Sequence, residues 1–216
     1  MRIKYAALLS GVLAAVTGLT GQAQAADEYK GFQAGDILVR ARGVWVAPHP
    51  YTTFVSGAAA GGVVDASDSF IPEIDASYFF TKNIAVEAIA GTTRHHITTS
   101  HPNLDLGHVQ LLPPTVTAQW HFLPNSVVNP YLGAGLTYAI FFGEKSGATG
   151  LNVRYSNSWD PALQAGADVH LTGNWYANVD VKQLFISTTA NVSSGAAAAR
   201  VNLNPTLVGV GVGYKF

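Results

Sequence analysis

Eight stretches of the chain alternate between apolar and polar or small residues with a period of two. They are Asp36–Ala47, Ser69–Phe80, Ile84–Thr93, Gln110–Phe122, Tyr131–Phe142, Trp159–Leu171, Trp175–Thr188 and Asn204–Phe216. That period sends successive side chains to opposite faces of an extended strand. The last stretch, "LVGVGVGYKF", is the plainest. Val208, Val210, Val212, Tyr214 and Phe216 share one face, and Leu207, Gly209, Gly211, Gly213 and Lys215 the other. Chain ends fray in water unless something ties them down, so alternation that runs to Phe216 predicts a strand held in place. A tilted strand crosses a bilayer in about 9–11 residues, and each stretch has that reach. The connections alternate as well. "TKN", "LPNSVVN" and "TGN" are short, and the others are long and rich in Gly, Ala, Ser and Asn.

Composition decides which solvent the apolar faces meet. Charged residues make up 12% of the chain, against about 25% in a typical soluble domain. The formal net charge is −1, which speaks against nucleic acid as a partner. With no cysteine, there is neither a disulfide nor a cysteine-ligated metal. Residues 1–25 combine a basic "MRIK", an apolar stretch and a small-residue "GQAQAA" ending, which predicts a cleaved signal peptide and one mature domain over 26–216. No other apolar run approaches the roughly 20 residues of a spanning helix. An exported, charge-poor chain without such a helix can live in a membrane as a closed barrel. The expected fold is therefore all-β: an eight-stranded antiparallel transmembrane β-barrel with short periplasmic turns and long extracellular loops.

Aromatic residues crowd the short turns, and Tyr78, Phe79, Phe80, Trp120, Phe122, Tyr131, Trp175, Tyr176, Tyr214 and Phe216 are expected to form a girdle at that rim. A lipid-facing Arg or Lys near the midplane costs about 2–4 kcal/mol, so the charged faces should point inward. Strand direction then sorts the lining by height. Arg40, Arg42, Glu87, Gln119, His121, Asp168, His170, Asp180 and Lys182 fall in the lower and middle lumen, with Glu73 and Asp75 just above. Buried charges need partners, so these residues are expected to pair as a polar plug. Toward the outer end the inward positions are Val44, Val46, Ile71, Ile89, Leu111, Phe141, Leu184, Ile186 and Leu207, an apolar vestibule suited to a small apolar solute. Pro48, Pro50, Pro72, Pro113, Pro114 and Pro205 lie near the outer strand ends, where a missing N–H loosens pairing and favours sideways release into the bilayer.

The ordered set "VRARGVWVAP", "NIAVEAIAG", "LLPPTVTAQWHF", "PYLGAGLTYAIF", "SWDPALQAGADV", "NWYANVDVKQL" and "NPTLVGVGVGYKF" resembles the OmpW (outer membrane protein W) family of small bacterial barrels across nearly the whole mature chain. The resemblance implies an eight-stranded barrel in the bacterial outer membrane, passage of small hydrophobic molecules, and for some members a role as receptor for bacteriocins or phage. It also implies that Gly211, Tyr214 and Phe216 serve as the signal read by the barrel-assembly machinery, although Gly209 stands where a polar residue is usual. The rival to transport is a structural or receptor barrel whose loops bind a partner over a packed lumen.

Catalysis is not expected, because the strand histidines, His121 and His170, have no serine beside them at the lipid-facing outer rim to complete a hydrolase. No cofactor is expected. His95, His96, His101 and His108 share one outer connection with Asp105, but no tight metal-binding spacing fixes them, so no metal site is assigned.

Overall fold

The computed structural model describes residues 30–57, 63–100, 104–147, 152–192 and 197–216. The signal segment 1–25 and His101 lie outside the described residues. In chain order the strands are β1 (Ile37–Ala47), β2 (Tyr51–Gly57), β3 (Val63–Ala66), β4 (Ser69–Phe79), β5 (Ile84–Ala90), β6 (Thr93–Ser100), β7 (Leu104–Leu112) and β8 (Thr115–His121). They continue with β9 (Val128–Lys145), β10 (Val153–Tyr155), β11 (Ser158–Thr172), β12 (Trp175–Leu184), β13 (Ser187–Val192), β14 (Ala197–Asn202) and β15 (Thr206–Lys215).

Eight of these close on themselves, all antiparallel, in the order β1-β4-β5-β8-β9-β11-β12-β15, with β15 returning to β1. Each barrel strand grows from one of the eight alternating stretches. Burial alternates with the sequence: on β1, Leu38, Arg40, Arg42, Val44 and Val46 are buried while Trp45 stands outside. The glycines of β15 explain the valine–glycine ending. Their inward face lies against β1, and a Cβ on Gly211 or Gly213 would come within 2.7 Å of Cγ of Arg42 or Arg40. The two arginines need that space.

From the short-turn end as far as Phe142 of β9, the outer surface of the eight strands carries no charged side chain among the described residues. Ile74, Val116, Leu132, Leu136, Leu163 and Val210 are exposed there. Such a surface is stable only against hydrocarbon. Tyr78, Phe80, Trp120, Phe122, Trp175 and Phe216 ring the short-turn end, as expected. A second ring at the other end holds Trp45, Phe70 and Trp159, at 49%, 74% and 70% exposure. Two such rings mark the faces of a bilayer.

The long connections depart from expectation. They fold into further strands rather than plain loops, because segments such as Tyr51–Gly57 and Ser187–Val192 carry Thr, Val and aromatic residues that suit a pleated surface. One outer sheet has the order β10-β13-β14-β2, and β3, β6 and β7 extend the wall above β4, β5 and β8, beside the upper part of β9. Strand after strand breaks near one height: at Pro48–Pro50, Ser67–Asp68, Gly91–Thr92, Pro113–Pro114, Ser156–Asn157, Phe185–Ile186 and Leu203–Pro205. Only β9 runs through. The result is a barrel below and a two-sheet tier above it.

Candidate functional site

The lumen is built in three layers. The lowest was not foreseen. Residues before β1 cross the short-turn mouth as a strap, with the Phe32 N–H donating to the Pro124 carbonyl at 3.0 Å and Lys215 Nζ donating to the Gly31 carbonyl at 2.6 Å. Phe32 is fully buried and stacks on Phe79 (ring centroids 4.4 Å apart) and on Tyr176 (5.0 Å). With Leu38 and Ala85 they form a separate apolar cluster. This corrects the expected girdle: Phe79, Tyr131 and Tyr176 point inward and are buried. Phe79 and Tyr176 share the parity of the charged residues of their strands, and Tyr131 shares that of buried Asn129 and Thr137; pleat geometry outranks proximity to the rim.

Above the floor sits the ionic layer. Arg40 Nε donates to Asp75 Oδ1 at 2.7 Å, Nη1 to Asp168 Oδ1 at 3.1 Å, and Nη2 to Ser77 Oγ at 2.7 Å; Nη2 also pairs with Glu87. Arg42 Nη2 stands 2.7 Å from Glu73 Oε1 and 2.9 Å from Asp75 Oδ2. These contacts miss hydrogen-bond angles, so charge alone holds them. Lys182 Nζ donates to Asp180 Oδ1 at 2.6 Å and lies 3.3 Å from Glu87 Oε1. Three cations thus face five carboxylates, and neutral donors make up the difference. Gln119 Nε2 donates to Glu87 Oε2 at 2.9 Å, Gln164 Nε2 and Tyr131 OH donate to Asp180 Oδ2 at 2.7 and 2.9 Å, and Asn178 Nδ2 donates to Asp168 Oδ1 at 2.8 Å.

Ten of the eleven residues expected in the plug are buried in this layer or at its lower edge, where His121 meets Asn129 at 2.9 Å and packs on Phe79. His170 is the exception. It is half-buried at the rim, contacts the Gly173 carbonyl at 2.8 Å, and meets the Tyr176 ring in a T-shaped arrangement. It shares the inward parity, but β11 runs beyond the floor there. Gln164, Asn178, Thr117 and Tyr131 belong to the network and were missed. Parity finds two of them directly, since Gln164 shares the face of Asp168 and Asn178 that of Asp180, but apart from Gln119 the expected plug takes in only ionisable groups.

The top layer is apolar. All nine vestibule positions, Val44, Val46, Ile71, Ile89, Leu111, Phe141, Leu184, Ile186 and Leu207, are buried. All but Ile89 share one cluster with Ile97, Val109, Val153, Ala190, Val201 and Leu203 from the outer tier. Pro48, Pro113 and Pro205 border a cavity of about 30 Å³ within it, room for a water but not for a hydrocarbon. His95 lies at its edge, contacting the Ser67 carbonyl through Nδ1 at 2.8 Å and Thr93 Oγ1 through Nε2 at 3.0 Å. Burial holds its pKa below the ordinary imidazole value, which favours the neutral ring. Neighbouring His96 pairs with Asp105 at 2.8 Å and stacks on His108, 4.6 Å between centroids, but no three potential ligands are grouped to hold a metal among the described residues.

The wall of this layer has a gap. The β4–β5 ladder ends at Ile74↔Ala90, and the β3–β6 ladder resumes only at Ala66↔Ile97. Between them Ser69–Glu73 runs without a ladder to the chain opposite. Pro72, which has no N–H to offer, lies inside the gap. A second small cavity opens there, lined by Ile71, Glu73, Ile89, Gly91 and Leu184 among others.

A closed eight-stranded barrel with an uncharged belt, two aromatic rings and a filled polar lumen is an outer-membrane β-barrel protein. The chain belongs to the OmpW family, whose pattern it matches over residues 33–216. It is 35% identical to outer membrane protein W of Vibrio cholerae over 85% of this chain and 90% of that one. It is 41% identical to an uncharacterized outer-membrane protein of Sinorhizobium fredii, y4mB, over 72% and 70%. It is also 31% identical to a dibenzothiophene metabolism operon protein of Pseudomonas aeruginosa, PahQ, over 72% and 76%. The crystal structure of outer membrane protein OprG from Pseudomonas aeruginosa superimposes with a TM-score of 0.81 at 25% identity, covering 86% of this chain and 98% of that one.

Proposed function

We propose that this barrel admits small hydrophobic molecules from outside through the apolar vestibule and releases them sideways into the membrane through the gap between β4 and the β5–β6 turn. One observation carries the reading: Ser69–Glu73 is laddered to β1 on one side only, and its free edge opens at the level of the apolar layer, directly above an ionic layer that fills the barrel. A hydrocarbon would have to strip paired ions to go straight down, and each broken pair costs about 3–5 kcal/mol. Sideways it meets Ile71, Ile89, Leu184 and Leu207, with Glu73 and Lys182 also on the lining, and then lipid. The name of the relative PahQ, which ties it to metabolism of a polycyclic aromatic compound, supports the same solute class. The small size of the cavity means that the outer tier parts to admit a solute. Insertion of the barrel itself is assigned to assembly machinery that reads Gly211, Tyr214 and Phe216.

Uptake of an apolar fluorescent probe into vesicles carrying the protein tests the reading. Replacing Leu184 and Ile186 with Asp is expected to lower the rate at least tenfold in a barrel whose heat-resistant folding is intact. Unchanged uptake overturns the route. A Gln119→Ala change in the plug is expected to leave uptake as it was.

A further inference from the structure

The outer sheet β10-β13-β14-β2 has two unlike faces. Its inward face supplies Val153, Ala190 and Val201 to the vestibule cluster. Its outward face follows from the register. Arg154 pairs with Asn191, and Thr189 pairs with Arg200. Cross-strand partners share a face, and residues two apart on β13 do too, so Arg154, Asn191, Thr189 and Arg200 stand together. Both arginines are exposed. The four strands contain no Asp or Glu at all. Neither guanidinium has an ion-pair partner among the described residues. The carboxylates that bear on this sheet act elsewhere: Glu144 on Tyr155, which has the inward parity and whose pKa is pushed up to about 12 chiefly by burial, and Asp160 on the Ser187 N–H at the base.

Height is the second observation. The sheet rises directly from β11, β12, β15 and β1, whose outer ends carry Trp159 and Trp45 of the upper aromatic ring. The outward face therefore continues the lipid-facing wall, one step beyond the hydrocarbon. That is the level of the lipid head groups. The other outer wall is different: β3, β6 and β7 hold one arginine, Arg94, exposed opposite Gln110, and they also carry Asp65 and Asp105, the latter paired with His96.

We infer that the Arg154–Arg200 face of this sheet is a docking surface for the phosphate-bearing head groups of the outer leaflet. Guanidinium groups bind phosphate through paired N–H donors, and Thr189 and Asn191 add neutral donors between them. Paired contacts of this kind fix the sheet against the membrane surface while its inner face lines the vestibule.

The test uses the full barrel in neutral detergent micelles, titrated with diphosphorylated lipid A and followed by native mass spectrometry. Wild type is expected to retain the lipid, with affinity about fivefold weaker for each of Arg154→Gln and Arg200→Gln and about 25-fold weaker for both. Dephosphorylated lipid A should bind both forms alike. Inorganic phosphate should not compete at equal concentration, which separates a head group in its lipid setting from the free anion. Arg94→Gln, on the other outer wall, should leave affinity within twofold. Equal binding by wild type and the double variant, or an equal loss from Arg94→Gln, overturns the assignment.

Discussion

The barrel and the tier above it are made by the same alternation, yet they are held together by different forces. Below, the interior is crossed by Arg40, Arg42 and Lys182, each bound to carboxylates on strands distant in the chain. Above, it is filled by aliphatic side chains around a cavity. An ionic interior is specific, because each charge demands its own partner at its own height, and the loss of one leaves others stranded. An apolar interior is permissive, because its contacts are non-directional and can re-form in other arrangements. The rigid part of the molecule therefore blocks the lumen, and the adaptable part faces the solute.

Three measurements sharpen that contrast. The largest effect should come from Arg40→Met, which strands Asp75, Glu87 and Asp168 together. A loss of about 3–5 kcal/mol is expected, read as a lower urea midpoint for the whole barrel in lipid vesicles. Ile97→Ala removes a buried side chain of the tier and should cost about 2–3 kcal/mol. Its signature is different: faster proteolysis of the outer hairpins while the barrel's urea midpoint stays put. A global shift from Ile97→Ala would mean that the two regions unfold as one. The smallest effect is the pH response of the tier. His95 is held below its ordinary pKa by burial, so the opened hairpin binds a proton more readily than the closed one. Stability is then full above the ordinary value of about 6.5 and is lost as pH falls below it. Cleavage of the hairpins should be faster at pH 5 than at pH 7.5 in wild type, and His95→Gln should flatten the dependence.

The sequence was most readable where a charge marked parity. Arg40 and Arg42 oriented β1, Asp180 and Lys182 oriented β12, and the resulting vestibule positions are all buried. Where a competing pattern intruded, the reading slipped. Phe79 and Tyr176 share the inward parity of Asp75 and Asp180, but their nearness to short turns suggested the rim. Phe32 was invisible for another reason. Its segment makes no strand, and its burial depends on rings from β4 and β12 that only the closed barrel brings together. The outer strands were hidden by composition, since Ala and Gly around Tyr51–Gly57 and Ala197–Asn202 looked like loop, while their pairing partners lay far along the chain.

The strap across the lower mouth has a consequence for biogenesis. Gly31 and Asp36 hold Lys215 of β15, and Phe32 settles between rings contributed by β4 and β12. Two of those anchors, Tyr176 and Lys215, reach the strap only once the first and final staves of the cask have met. The cork consequently goes in last, and a half-built cylinder stays open toward the periplasm until its circumference is complete.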